Sequence, residues 1–164
     1  MKTLLLIFLF SFIAFFVGRV YQFCSGLRKR YFQDWLQYQK TLLSDCLRTN
    51  RLEGRTLDAF FTNRGYKNIV ILGIGAQYYF DFIHDINLDI FENIYLADGN
   101  RAGVEKNFEE KVYSKEELTD LEFDVIVVTS LSHFVEIDRE LKALGIEKEI
   151  VAYSDLLYNA AKEV

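Results

Sequence analysis

Gly73, Gly75 and Ala76, in the stretch Lys67–Tyr79 (KNIVILGIGAQYY), are the first residues whose types and spacing suggest chemistry. Two glycines separated by one residue let a tight turn present backbone N–H groups, and then a helix N-terminus, to an anionic ligand. The pattern is a dinucleotide fingerprint without its third small residue, because Tyr78 occupies that position. The same glycines also suit close helix–strand packing, and both readings stay open. Asp98, in Leu96–Asn100 (LADGN), follows Gly73 by 25 residues. That is near the offset of ~20 at which an acid reaches ribose hydroxyls. Asp98, Gly99 and Asn100 equally suit a plain tight turn.

A second group follows a long apolar run: Thr129, Ser130, Leu131, Ser132 and His133. Its hydroxyls can hold a phosphate or a sugar, or Ser130 or Ser132 can cap the next helix. His133 is the better placed of two histidines for acid–base work but has no Asp or nucleophile partner in a motif, which favours a surface role. His84 reads as structural or exposed. Glu109-Glu110 and Glu116-Glu117 read as solvated faces, with no metal ligand set. The chain carries no zinc spacing, nucleophile elbow or Walker sequence.

These residues need a sheet to hold them. Ile69–Leu72 reads as a first strand, with a helical pattern over Ala76–Asp85 that places Phe80, Ile83 and Ile86 on one face. Asn93–Ala97 and Lys111–Tyr113 read as the second and third strands. Ser114 with Glu117 forms a capping box. Phe123–Thr129 (FDVIVVT) has the continuous apolar character of a central parallel strand. Ser132–Leu144 reads as a helix stopped by Gly145, and Lys148–Ala152 as the last strand. Strand–helix alternation predicts an α/β fold: a small Rossmann-like parallel sheet over residues 67–164 with helices on both faces. Those residues suffice for one small core and leave no room for a separate catalytic domain.

The charge is divided. Residues 1–67 hold 11 Lys/Arg against 4 Asp/Glu, whereas residues 68–164 hold 8 against 20, which together give the net −5 of the 164-residue chain. The acidic half excludes nucleic-acid backbone as a partner. The basic half follows an apolar end and suits anionic lipid headgroups. Thr3–Gly18 carries no charge, and residues 1–24 read as a membrane anchor preceding the rest of the fold. A cleaved signal peptide is the rival, but Phe15 stands at the −3 position of the best cleavage point, where a small residue is needed. Arg19, Arg28, Lys29 and Arg30 follow the segment against Lys2 before it. The positive-inside rule then predicts a single-pass protein of the inner (cytoplasmic) membrane, its C-terminal domain in the cytoplasm. Cys24 and Cys46 match no metal or redox spacing and suit free thiols.

Residues 25–66 form a helical connecting region. Tyr31, Trp35, Tyr38 and Leu42 recur at 4-3-4 intervals over Leu27–Leu47. The readings are an amphipathic helix on its own domain or at the membrane surface, or a homodimer seam; the repeat here is short of the three heptads a seam needs. Asn50–Arg55 reads as a polar break. Thr56 reads as the N-cap of a short helix Leu57–Thr62 that ends before Gly65.

With ILGIGAQ, LADGN, KVYSKEEL and FDVIVVTS in that order, the chain from Trp35 to about Leu157 resembles the Rossmann-like, nucleotide-sugar-associated domains of bacterial surface-polysaccharide biosynthesis proteins. Such domains occur ahead of sugar acyltransferases, sugar dehydratases and some glycosyltransferases. The resemblance implies that Gly73, Gly75 and Asp98 face a nucleotide or nucleotide-sugar, and that a glycan-biosynthesis enzyme is a partner. Gln77-Tyr78-Tyr79 departs from the family, in which smaller residues favour close phosphate approach, and no catalytic domain is attached.

The leading expectation is a non-catalytic module, tethered to membrane lipid and binding a nucleotide or nucleotide-sugar through Gly73, Gly75, Ala76, Asp98, Asn100, Thr129 and Ser130. One alternative is an NAD(P)-dependent oxidoreductase or a methyltransferase using S-adenosylmethionine. Gln77 weighs against the methyltransferase, and the lack of a separate substrate domain against the oxidoreductase. The other alternative is an interaction scaffold whose ligand site has decayed, with Tyr78 and Tyr79 crowding the loop.

Overall fold

The computed structural model describes residues 2–76, 78–99 and 111–160, with side chains from residue 17 onward except those of residues 32, 33, 35 and 36. The chain divides into two compact units, Met1–Ser44 and Asp45–Val164. The first unit is helical from Lys2, within helix α1 (Lys2–Leu52), which continues through Gly18 and Gly26. Among the described residues no helix is long and apolar enough to cross a membrane, so they give the predicted anchor over residues 1–24 no support. Its apolar run falls mostly on residues 1–16, whose side chains lie outside the described residues.

The second unit is built on five parallel strands: β1 (Asn68–Leu72), β2 (Asn93–Ala97), β3 (Val112–Tyr113), β4 (Val125–Val128) and β5 (Glu149–Ala152). Their order across the sheet is β3-β2-β1-β4-β5. The α/β class and parallel sheet read from the sequence are therefore observed. β1 and β4 are central because their residues are apolar on both faces: Ile69–Leu72 and Val125–Val128 are all buried. Asp124 fixes their common starting level by accepting from the N–H groups of Lys67 and Asn68, each at 2.8 Å. Burial works to raise the Asp124 pKa, but those two bonds outweigh it and hold the carboxyl below its usual range.

Successive strand residues face opposite ways. Val70, Leu72, Ile126 and Val128 pack with Leu118 and with Ile137 and Leu141 of α4 (Phe134–Ala143) on one face. The other face receives α2 (Asp58–Arg64), α3 (Tyr78–Asp85) and α5 (Tyr153–Ala160), which share the Phe61–Phe82 and Phe82–Tyr153 edge contacts. The chain leaves β1 toward one edge of the sheet and β4 toward the other, so right-handed connections must place α3 and α4 on opposite faces.

Several local expectations change. Residues 50–52 are not part of a break: α1 runs to Leu52, and Asn50 is buried, its amide donating to the Leu157 carbonyl at 3.0 Å. Thr56 is not the N-cap of α2; Leu57 holds that position, and its buried aliphatic side chain offers no acceptor for a side-chain cap. Gly65 does end α2, at φ 69°, with its N–H on Thr62 O at 3.1 Å and that of Tyr66 on Phe61 O at 3.0 Å. The Ser114–Glu117 capping box forms in both directions, at 2.8 and 3.3 Å, but opens only a short 3-10 turn, Glu117–Asp120. The helix expected from Ser132 begins as a 3-10 turn, Leu131–His133, and becomes α-helical at Phe134.

Beside α3, Asp85 ties three elements together. Its carboxylate takes Arg51 Nε of α1 at 2.6 Å and the hydroxyl of Tyr153 of α5 at 2.9 Å. Arg51 also reaches Asp81 at 3.2 Å. Tyr153 is fully buried, and burial, reinforced by the Asp85 charge, pushes its hydroxyl far above the usual tyrosine range.

Candidate functional site

The strand order reverses between β1 and β4, so the loops after them diverge to opposite faces and leave the crevice at which open α/β sheets take ligands. After β1, Gly73 to Ala76 forms a closed turn in which the Ala76 N–H donates to Gly73 O at 2.8 Å. Gly73 has φ +103°, which L side chains rarely adopt. A Cβ there would lie 3.0 Å from Thr129 Oγ1 and 3.1 Å from Ser130 N. Only glycine lets the two loops meet so closely. Thr129 is fully buried, and its hydroxyl donates to Gly73 O at 2.8 Å and Leu72 O at 3.2 Å. This hydroxyl therefore sews β4 to β1 and is not presented to a ligand.

Asp98 stands at the end of β2, buried, with its N–H on Tyr113 O at 3.1 Å. Its Oδ2 accepts from the N–H of Gly75 at 3.1 Å, so it reaches across to the glycine turn. Asp98 is thus no mere turn residue: its carboxylate fixes the loop after β1 at the position where an acid meets ribose hydroxyls in dinucleotide folds. The same bond uses an N–H that a phosphate would need. With the Gly73 N–H on Ala97 O at 2.9 Å, the backbone donors of Gly73, Gly75 and Ala76 are all taken within the chain.

The structure brings Gly73, Gly75, Ala76, Asp98, Thr129 and Ser130 to one edge of the sheet. Asn100 and Gln77 lie outside the described residues. Ser130 heads the 3-10 turn but makes no side-chain cap hydrogen bond, so capping does not account for its hydroxyl. Tyr78 and Tyr79 do not crowd the turn. The Tyr78 ring packs on Tyr153 with centroids 6.1 Å apart, and Tyr79 is buried in the core. Burial raises the Tyr78 pKa. His133 is exposed, with Glu136 Oε2 3.6 Å from its Nδ1, and His84 is exposed beside Asp85. Among the described residues no three metal-ligating side chains converge.

Lys115 is the residue that sequence reasoning missed. Its Cε and Nζ lie 3.8 and 3.9 Å from where a Gly99 Cβ would sit, and its ammonium pairs with Glu140 of α4. A cation therefore stands beside the Asp98–Gly99 turn. The pairing of β2 with β3 brings it there, a long-range fact with no local sequence signal. A separate groove runs along the edge strand β5, lined by Phe60, Arg64, Glu149, Val151 and Leu156, and shares no residue with the carboxyl-edge group.

Comparison with curated proteins and with solved structures found no match. Residues 65–152 match the family model described as C2185-like, N-terminal. That match runs from just before β1 to the end of β5, takes in both crevice loops and Asp98, and covers more than half of the chain. The chain belongs to the C2185-like family, with its N-terminal domain over residues 65–152.

Proposed function

We propose that this protein is a non-catalytic Rossmann-like module, tethered to the inner (cytoplasmic) membrane, that binds a nucleotide or nucleotide-sugar at the carboxyl edge of its sheet in cell-surface glycan assembly. The observation carrying this reading is the Asp98 carboxylate at the end of β2, bound to Gly75 N–H and flanking the β1/β4 crevice. An acid so placed recognises a ribose or sugar diol. Lys115 beside Gly99 supplies a cation for an anionic ligand, and Ser130 a hydroxyl. The non-catalytic assignment rests on how these groups are used. The Thr129 hydroxyl is committed to Gly73 O, and the Asp98 carboxylate to Gly75 N–H, so neither stands as a nucleophile–base pair.

The tether rests on sequence alone: an uncharged Thr3–Gly18, followed by Arg19 and Arg28–Arg30. It would hold the module beside lipid-linked substrates and a glycan-biosynthesis enzyme. After cell fractionation the full chain is expected in the membrane pellet, resistant to carbonate; recovery in the soluble fraction would remove the tether from the reading.

An interaction scaffold is the second reading. It is favoured by the internally satisfied N–H groups of Gly73, Gly75 and Ala76, which leave a phosphate to compete with Asp98. Thermal-shift titration of the full chain with UDP, UDP-sugars, NAD(H) and S-adenosylmethionine separates the two. A ligand at 100 times its Kd adds about 2.7 kcal/mol. Absence of any shift at millimolar nucleotide leaves the scaffold.

A further inference from the structure

We infer that Lys115 reads the phosphate of whatever binds at the Asp98 edge, paired with Glu140 in the free protein and exchanging that carboxylate for a phosphoryl group of the ligand. The inference rests on the nucleotide reading above. It narrows that reading to phosphate-bearing ligands and sets S-adenosylmethionine and unphosphorylated sugars aside. The usual phosphate cradle is closed in this chain. The N–H groups of Gly73, Gly75 and Ala76 bond within the chain, and Asp98 places a carboxylate beside them. A phosphate at this edge needs a donor from elsewhere, and Lys115 is placed to be one. Its backbone is held by the Ser114–Glu117 box and by the Leu118 N–H, which donates to Lys115 O at 3.3 Å. The four-carbon stem carries the ammonium and is the part that can swing.

Gly99 points to the same place independently. Its φ is not positive, and among the described residues a Cβ on it would meet only Lys115, at 3.8 Å from Cε and 3.9 Å from Nζ. Neither backbone conformation nor packing therefore asks for glycine here. The remaining use of glycine is to let backbone and ligand approach closely, in this case beside an ammonium. The ion pair is also built to come apart. Lys115 Nζ meets Glu140 Oε2 of α4, and the Glu140 side chain is 44% exposed, so water can take over the released carboxylate. The Lys115 hydrogen bond and charge, with a smaller effect from Arg139, hold the Glu140 carboxyl below its usual range. A nucleotide phosphate offers more charge and more acceptor oxygens than one carboxylate. Glu140 is thus an internal competitor that a phosphate displaces and a neutral ligand does not.

The test is isothermal titration calorimetry of the full chain in mild detergent, with UDP and ADP set against uridine and adenosine. The expected result is a diphosphate bound roughly ten-fold or more tighter than its nucleoside, the worth of a hydrogen bond to a charged group. Lys115→Met should remove that advantage and leave nucleoside affinity unchanged, whereas Lys115→Arg, which keeps the charge, should retain it. Glu140→Gln should tighten the diphosphate by about two- to five-fold, the worth of a partly exposed ion pair, with the nucleoside again unchanged. Glu147→Gln, which removes a charge between α4 and β5 at the opposite edge of the sheet, should do neither. Gly99→Ala should weaken the diphosphate while its Tm stays near that of the wild type. An advantage that survives Lys115→Met overturns the inference, and so does a Glu140→Gln that fails to tighten the diphosphate. Nucleoside binding without a diphosphate advantage overturns it while the ligand reading stands; binding of none of the four compounds removes both.

Discussion

Gly73→Ala isolates what holds the crevice together. The substitution meets two separable obstacles. First, φ +103° lies where L side chains rarely sit, a strain of about 1–3 kcal/mol. Second, the new Cβ would stand 3.0 Å from Thr129 Oγ1 and 3.1 Å from Ser130 N. The latter is backbone, so β4's loop must shift or the Thr129 hydroxyl bonds must lengthen. Forcing extra volume into a packed site costs about 1–3 kcal/mol. The sum is about 2–6 kcal/mol, a large share of the ~5–15 kcal/mol that holds a domain. Gly65 and Gly145 supply the control, because both have positive φ, at 69° and 83°, and open space around the added Cβ. Gly65→Ala and Gly145→Ala should therefore show strain alone, about 1–2 kcal/mol. Gly99→Ala, whose nearest neighbours lie at 3.8 and 3.9 Å without positive φ, should be close to neutral. Urea unfolding of the full chain, followed by near-UV circular dichroism of the buried tyrosines, reads these differences as midpoint shifts of about 1 M for each 1–3 kcal/mol. If Gly73→Ala loses no more than Gly65→Ala, the close approach of the two loops is not a determinant of stability and the reasoning fails.

Asp85→Ala leaves the buried Tyr153 hydroxyl unpartnered, at about 1–3 kcal/mol, and removes the partly exposed Arg51 pair, at up to about 1 kcal/mol. Tyr153→Phe in the same background should recover part of that loss in a double-mutant cycle; strictly additive effects would refute the shared bond. Asp124 gives the pH dependence. Its folded pKa is depressed, so its contribution is present above the unfolded carboxylate range and is lost as pH falls through the folded value. Asp124→Asn should flatten the acid limb of the stability curve and cost about 1.5–3 kcal/mol near neutrality, and an unchanged acid limb would contradict this.

The sheet was legible because its information is local. Ile69–Leu72 and Phe123–Thr129 are short, β-branched apolar runs bounded by turn residues, the character of a strand covered on both faces. Gly65 and the Ser114–Glu117 box were likewise readable, since each motif satisfies backbone groups within a few residues. What failed was tertiary. Asn50 looked like a break until the Leu157 carbonyl, 107 residues away, gave its amide a partner. Tyr78 looked like an obstruction because Tyr153, the ring it packs on, belongs to the last helix. At the crevice, residue types left more than one use open for each group, because the contacts there are long-range: Thr129 meets Gly73 across the two loops, and Asp98 binds the turn itself.

The central claim is that the Asp98 edge binds a nucleotide-type ligand. The most direct measurement is a thermal-shift titration of the full chain and its Asp98→Ala variant against UDP, UDP-sugars, NAD(H) and S-adenosylmethionine. The account predicts that one ligand class raises the wild-type Tm by several degrees, with the shift lost in Asp98→Ala while the variant remains folded. A wild-type Tm unmoved by every nucleotide at millimolar concentration, or a shift fully retained in Asp98→Ala, would contradict it.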